Sequence, residues 1–241
     1  MAHLHEHELV EGLHNKYAGE PLYVLGTGPS LQRWGDDINL LADKYTFGVN
    51  YLMRYKGLKF VPSFYGASKI DFLYYINPLV ADFDIPKFIT SIWATDIPGW
   101  TWVYMHYLRK MHEGWFNGFG EHMEWTAEGD GVIFDCAVQL GVWMGFDPIY
   151  LLGCDATSMG HAYLDDDDPS DRKRRRGNSM VRAADVSHKI MASHDRRLVN
   201  VNPGGNLTIP RMSFADALAN KGVEAEYEHA EKQTGIITNI R

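Results

Sequence analysis

The chain has 241 residues, of which 45% are hydrophobic and 22% are charged. This composition is typical of ordinary globular proteins and excludes collagen-like, low-complexity and wholly disordered chains. The net charge of −8 disfavours a dedicated nucleic-acid binder, whose affinity depends on a basic surface. No apolar run approaches the roughly 20 residues of a membrane span, and the polar start lacks the apolar core of a secretory signal, so we expect a cytoplasmic protein.

Apolar runs alternate with helical patterns from residue 21 onward. Strands are predicted over 21–28, 45–50, 60–66, 86–93, 149–155 and 197–202, and helices over 30–44, 68–82, 131–146, 179–195 and 213–222. Alternation at this spacing is typical of βαβ units, so the chain predicts an α/β fold with one doubly wound, mainly parallel, Rossmann-like sheet. We expect a single α/β domain over 1–241.

Two stretches fall outside this alternation. Residues 1–20 are polar and carry His3, His5 and His7, and we expect a disordered tail there. Residues 97–125 are aromatic and contain glycine, which we interpret as a helical insertion that forms a lid. The only two cysteines, Cys136 and Cys154, form no CxxC pair and are expected to be buried thiols.

The first chemical signal is the turn LGTGPSL, residues 25–31. Gly26 and Gly28 allow a tight turn after the strand, and Ser30 lies beside the free amides of a helix start, where a phosphate would be favoured. The turn is not the dinucleotide fingerprint, because Leu31 stands where the third glycine would be and the second strand ends in Asn50. It indicates either a nucleotide site or a structural glycine turn.

The second signal is the run IYLLGCDATSMGHAYLDDDD, residues 149–168. A buried strand delivers Gly153 and Asp155 to the edge of the sheet, where ligands of such folds bind. The following loop carries hydroxyls and an imidazole that suit a leaving phosphate, at Thr157, Ser158, His161 and Tyr163. The alternative is an ordinary strand exit in which Asp155 caps its own turn.

Three further sequence features each allow both a functional and a structural interpretation. Asp165–Asp168 could hold Mg²⁺, although the acidic and basic run over 165–177 is also typical of a solvated loop. His188 lies three residues after Asp185 on a predicted helix, where either a catalyst or an ordinary core or surface histidine fits. The turn at 202–205 either faces a substrate or simply connects two elements.

Together these motifs resemble the metal-independent bacterial sialyltransferases that use CMP-sialic acid on one modified Rossmann domain, and the related motility-accessory and uncharacterised proteins with a GxGPSL start. The resemblance runs from about Leu22 to Phe214 and is weak over 97–125. It rests on GTGPSL (26–31), a second strand that ends in Asn50, FYGAS (64–68), GF (145–146), IYLLGCD (149–155), Tyr163 and a late Pro-Gly strand end.

The resemblance implies a set of site residues. Nucleotide contacts are implied for Gly26, Thr27, Gly28, Ser30, Asn50, Gly66, Gly131, Gly153, Cys154 and Asp155. Tyr163 corresponds to a tyrosine that binds the departing phosphate, and Thr157 stands where the family has a second one. The catalytic histidine of the family corresponds to Asn178 here, so His161 and His188 are the alternatives for the base.

The resemblance thus implies transfer of a sugar from a nucleotide-activated donor, a CMP-sugar such as CMP-sialic acid, to a hydroxyl acceptor without a metal or cofactor. Two alternatives stay open. One is an ATP- and Mg²⁺-dependent enzyme similar to the pterin pyrophosphokinases, in which Asp165–Asp168 would have a purpose. The other is a nucleotide- or sugar-binding protein without catalysis. A glycan or another hydroxyl compound would be the acceptor, and a homo-oligomer is also open.

Overall fold

The computed structural model describes residues 10–67, 70–91, 97–107, 125–127, 131–157, 161–162 and 177–221. The strands in these ranges are β1 Leu22–Leu25, β2 Thr46–Val49, β3 Phe64–Ala67, β4 Lys87–Ser91, β5 Thr101–Tyr107, β6 Trp125–Ala127, β7 Ile149–Leu152 and β8 Leu198–Asn200. The helices are α1 Ile70–Val80, α2 (a π-helical part, Ile133–Val138, and an α-helical part, Gln139–Trp143), α3 Gly177–Ser193 and α4 Phe214–Leu218; 3₁₀ segments cover Pro29–Leu41 and Leu52–Arg54.

The described strands form one sheet in the order β6-β5-β4-β3-β2-β1-β7-β8. Every adjacent pair is parallel, with Tyr23 opposite Thr46 on one side of β1 and Tyr150 on the other. The chain builds outward from β1 through β6 and then returns to place β7 on the other side of β1. The strand order therefore reverses between β1 and β7, the position where open α/β sheets bind their ligands.

Apolar side chains fill the space on both faces of the sheet. In β1, Leu22 and Val24 belong to the core cluster that contains α2, while Tyr23 and Leu25 belong to the cluster that contains Leu31 of the first 3₁₀ segment. This period-2 alternation with buried residues on both sides is the pattern of a sheet covered on both faces. The predicted doubly wound parallel fold is confirmed.

The segment after β1 is a 3₁₀ helix rather than the regular helix expected over 30–44. Pro29 occupies its first position, and Gly35 interrupts it with φ 52° and ψ −125°. Positive φ is sterically open to glycine. The kink lets Leu31, Ile38 and Leu41 all reach the core.

Two sequence expectations need correction. Residues 10–20 are not a free tail, because Val10 and Leu13 are buried and Trp143 Nε1 donates a hydrogen bond to the carbonyl of Val10 (2.8 Å). Residues 101–107 form β5 rather than a helical lid, because they pair in parallel with β4. The rest of the expected tail and most of the expected lid, 108–124, lie outside the described residues.

None of the helices in the described ranges has both the length and the apolar character needed to cross a bilayer.

Candidate functional site

The predicted site residues gather where four neighbouring strands end. Asn50 follows β2, the Gly26–Gly28 turn follows β1, the Gly153–Asp155 turn follows β7, and Asn202 follows β8. These strands are adjacent in the sheet and parallel. Their carboxyl ends therefore form one edge, with the switch point between β1 and β7 at its centre.

The two glycine turns at this centre pack directly on each other. Gly26 N donates to the carbonyl of Leu152 and Gly28 N to the carbonyl of Gly153, both at 2.7 Å. A Cβ on Gly26 would lie 2.3 Å from the oxygen of Gly153, and a Cβ on Gly153, where φ is +66°, would meet Leu31. The missing side chains of these glycines thus allow the two turns to contact each other. The sequence alone does not show whether a glycine here makes space for a neighbouring turn or for a ligand.

Asp155 closes the start of the Pro29–Leu41 segment. Its Oδ2 accepts hydrogen bonds from the backbone N–H of Ser30 (3.1 Å) and from the Ser30 hydroxyl (2.9 Å). A Cβ on Gly28 would lie 1.9 Å from the same carboxylate oxygen. The carboxylate therefore occupies the helix start, satisfying an amide that would otherwise be free.

The Asp155 carboxyl is buried, and this burial raises its pKa above the ordinary value. Hydrogen bonds from Ser30 and the charge of Arg33 oppose this rise. Burial lowers the pKa of Arg211, and the negative charge of Asp155 opposes this fall. Two guanidinium groups therefore lie within electrostatic reach of one buried carboxylate.

The turn after β8 is tied to both of its neighbours. Asn202 Oδ1 accepts from Cys154 N (3.1 Å) and lies 3.1 Å from the Ser30 hydroxyl. Asn206 N donates to the carbonyl of Asp155 (2.9 Å). Arg211 donates to the carbonyls of Asn202, Gly204, Gly205 and Leu207. This network holds the ends of β1, β7 and β8 in one fixed arrangement.

His161 lies against the first glycine turn. Its Nδ1 is 3.1 Å from Thr27 Oγ1 and 3.3 Å from the Thr27 carbonyl oxygen. The neighbouring Ala162 donates its N–H to the same carbonyl (2.9 Å), and Gln32 Nε2 donates to the carbonyl of Ala162 (3.0 Å). Thr27 and Gln32 therefore bring His161 to the switch point, 134 positions along the chain from Thr27.

His188 is held elsewhere. It lies on α3, and its ring interacts with the backbone of Leu198, the first residue of β8 and thus at the amino end of that strand. Within the described part of the chain its buried Nδ1 has no hydrogen-bond partner, and burial lowers the pKa of the imidazole. The structure does not bring His188 to the edge where the glycine turns meet.

The remaining predicted residues on the β2–β4 side are spread along the edge. Asn50 adopts φ +50°. Its backbone N–H donates to the carbonyl of Gly66 (3.0 Å), and its backbone carbonyl accepts a hydrogen bond from the Tyr65 hydroxyl (2.7 Å). A Cβ on Gly66 would meet Phe47 and Cys136, so that face of Gly66 lies in the core. Gly131 precedes α2 and donates to Asp135 Oδ2 (3.2 Å).

Thr157 and Cys154 lie close to Asp155 in the chain. Thr157 lies two residues beyond Asp155 and is half-buried, and Cys154, like Cys136, is a buried free thiol. Burial raises the pKa of both thiols. Ser158, Tyr163 and Asp165–Asp168 lie outside the described residues.

Four side chains at this edge were not singled out from the sequence: Gln32, Arg33, Asp135 and Arg211. Two of them have partners distant in sequence: Gln32 donates to the carbonyl of Ala162, 130 positions away, and Arg33 to the carbonyl of Pro203, 170 positions away. Asp135 is buried within the π-helical part of α2, and such irregular turns often mark functional positions. An acidic residue inside an apolar helical pattern is the sequence signal that could have pointed to Asp135.

No family model matches the chain, and no curated protein matches it. Its structure is similar to that of MAf glycosyltransferase from Magnetospirillum magneticum AMB-1, with a TM-score of 0.50 and 14% sequence identity. The match covers 97% of this chain and 41% of the other. The chain therefore spans about two fifths of the length of that protein, and at this identity the likeness concerns the fold.

Proposed function

We propose that this protein transfers a sugar from a nucleotide-activated donor to a hydroxyl acceptor. The observation that carries the proposal is the meeting of two glycine turns and a polar network at the switch point of a parallel sheet, the usual nucleotide position in such folds. The fold shared with a glycosyltransferase supports the same class of reaction.

The donor we favour is a CMP-sugar, such as CMP-sialic acid, used without a metal. This finer proposal depends on the GTGPSL and IYLLGCD motifs and on the resemblance that they support. The base and ribose of the donor would lie along the ends of β2, β1 and β7, with Asn50 near the ribose and Asp155 beside the base.

The reaction would break the bond between the anomeric carbon and the phosphate oxygen. The electron pair of that bond leaves with the phosphate, and the anomeric carbon gains oxocarbenium character until the acceptor oxygen bonds to it. Hydroxyls of Thr157 and Tyr163 would stabilise the departing phosphate, an effect worth a few kcal/mol for a well-placed donor. The proton of the acceptor hydroxyl must pass to a base.

His161 is the better of the two histidines for this base. The carbonyl oxygen of Thr27 can only accept, so a hydrogen bond to it requires the proton on Nδ1 of His161. In the neutral ring this leaves the lone pair on Nε2, the nitrogen that a general base would use. His188 interacts at the opposite end of β8, which argues against the same role for it.

A thermal-shift panel tests the proposal directly. The full-length protein is heated with CMP, CDP, UDP, GDP, ATP, NAD or CMP-sialic acid, each with EDTA or with Mg²⁺. A ligand at 100 times its dissociation constant adds about 2.7 kcal/mol to the free energy of unfolding, which is readily seen as a higher melting temperature.

Stabilisation by cytidine nucleotides in EDTA, followed by slow release of CMP from CMP-sialic acid, would support the transferase and its donor. Stabilisation by another nucleoside diphosphate would keep the transferase and replace the donor. Stabilisation by ATP only with Mg²⁺ would favour a pyrophosphokinase. No stabilisation by any compound would contradict nucleotide binding altogether.

A further inference from the structure

The start of the Pro29–Leu41 segment is not free to bind a phosphate. The amide of Ser30 already donates to Asp155, and the carboxylate fills the space beside Gly28. A phosphate in the same place would meet a buried carboxylate, so repulsion would oppose its binding. If a nucleotide binds at this edge, its negative charge needs a different partner.

Arg33 is placed to be that partner. It is exposed, and its Nη1 lies 3.5 Å from the carbonyl of Pro203, a long hydrogen bond. The same nitrogen approaches Gly204 so closely that a Cβ there would lie only 3.2 Å away. Burial raises the pKa of Asp155, and the charge of Arg33 opposes this rise, so the guanidinium lies within electrostatic reach of that carboxylate.

The other cations described near this edge have different tasks. Arg211 directs both terminal nitrogens at four backbone carbonyls, which fixes the turn after β8. Arg54, just after β2, lies over the ring of Tyr51 with its Cζ 5.9 Å from the ring centroid. Arg33 makes a single long hydrogen bond to the described residues, so its guanidinium is the one best able to turn towards an incoming anion.

We propose that Arg33 binds the phosphate of the nucleotide donor at the switch point. In this structure, its guanidinium lies against the Pro203–Gly204 turn. The planar guanidinium can bind two phosphate oxygens at once, which an ammonium group cannot do. The inference rests on the proposed function for the identity of the ligand, but the anion site itself can be tested without it.

The test uses titration calorimetry on the full-length protein with CMP, cytidine and inorganic pyrophosphate as probes. The variants are Arg33→Gln, Arg33→Lys and Lys16→Gln, the last removing one positive charge at an exposed position before β1. We expect Arg33→Gln to weaken CMP binding about tenfold or more, Arg33→Lys to weaken it less, and Lys16→Gln to leave it unchanged. Cytidine, which lacks the phosphate, should bind all four proteins alike.

Four outcomes separate the two proposals. Loss of CMP affinity in Arg33→Gln alone supports both. Equal CMP affinity in wild type and Arg33→Gln overturns the role of Arg33 and leaves the transferase intact. Binding of pyrophosphate that depends on Arg33, without binding of any nucleotide, supports the anion site and overturns the transferase. If wild type binds neither CMP nor pyrophosphate, the anion site at Arg33 and the CMP-sugar donor are both overturned, and the transferase is overturned as well if the thermal-shift panel shows no stabilisation by any other nucleotide.

Discussion

The carboxylate of Asp155 caps the first turn after β1 by accepting both the backbone N–H and the hydroxyl of Ser30, 125 positions earlier in the chain. The end of β7 is thereby attached to the element that follows β1. Because a backbone amide at a helix start is also what an anion would bind, protein and ligand compete for the same group. The protein itself satisfies that amide here, and the glycines around it are part of the packing.

The Gly28→Ala variant tests this packing role. Gly28 has φ −70°, which any residue adopts, so only sterics oppose the new methyl group. Its Cβ would lie 1.9 Å from Asp155 Oδ2 and 2.7 Å from the carbonyl oxygen of Gly153. We expect the free energy of unfolding in urea to fall by about 1–3 kcal/mol, the usual cost of overpacking.

Gly19→Ala is the matched control. Gly19 has φ +80° and no atom within 4 Å of a Cβ, so its variant carries conformational strain without a clash. It should lose about 1 kcal/mol. If Gly28→Ala unfolds like wild type but no longer binds nucleotides, the glycine exists for the ligand and the packing argument is wrong.

The stability of the protein should depend on pH through Asp155. Burial raises the pKa of this carboxyl, so the folded state favours its protonated form, and the stability this gives is present at low pH and lost as the pH rises through the folded-state pKa. Asp155→Asn cannot ionise. Its free energy of unfolding should therefore rise relative to wild type between about pH 3 and about pH 7.

Urea unfolding of both proteins across this range measures the effect, with Asp37→Asn, at an exposed position of the same 3₁₀ segment, as the control for removing one negative charge. A relative stability of Asp155→Asn that falls with pH would mean that the ionised carboxylate is the favoured form. The hydrogen bonds from Ser30 would then outweigh burial.

The sequence predicts the fold well because its signals are local. Each strand from β1 to β4 has its own apolar run and turn, and so do β7 and β8. The run from Thr101 to Tyr107, by contrast, mixes aromatic and polar side chains and has no clear strand pattern of its own. It forms a strand because it pairs with β4.

The site is predicted only in part, because its geometry depends on partners that are far apart in sequence. The sequence indicates that Gly26, Gly28, Gly153 and Asp155 share one edge of the sheet. It does not distinguish a glycine that admits a ligand from one that admits a neighbouring turn, since both need the same missing side chain. Arg33 carries no local signal at all, because its contact is with Pro203.

Comparing His161→Gln with His188→Gln should show which histidine acts as the general base. Loss of a general base typically costs a factor of about 100 or more, so His161→Gln should lower kcat by that amount and remove the acid limb of the pH profile, with little change in KM. His188→Gln should keep kcat within about twofold, because the ring lies beside Leu198.

Both variants are first compared in urea unfolding, so that activity is read on folded protein. Thr27→Val and Thr27→Ser supply a second test, because only serine keeps a hydroxyl near His161 Nδ1. A normal pH profile in His161→Gln, with activity lost in His188→Gln, would reverse the assignment of the base.

Arg211→Lys should loosen the turn after β8. Arg211 donates to four carbonyls between Asn202 and Leu207, and a compact ammonium group cannot reach them together. We expect a loss of about 1–3 kcal/mol in the free energy of unfolding. Amide exchange at Asn206, whose N–H donates to the carbonyl of Asp155, should also become faster.

Arg182→Lys, at an exposed position of α3, should change stability by no more than about 0.5 kcal/mol and leave the exchange of Asn206 as in wild type. Because the turn after β8 also holds the end of β7 through the hydrogen bond from Asn206 to Asp155, loosening it should also weaken CMP binding. Unchanged exchange at Asn206 in Arg211→Lys would show that Asn202 and Asp155 hold this turn without the guanidinium.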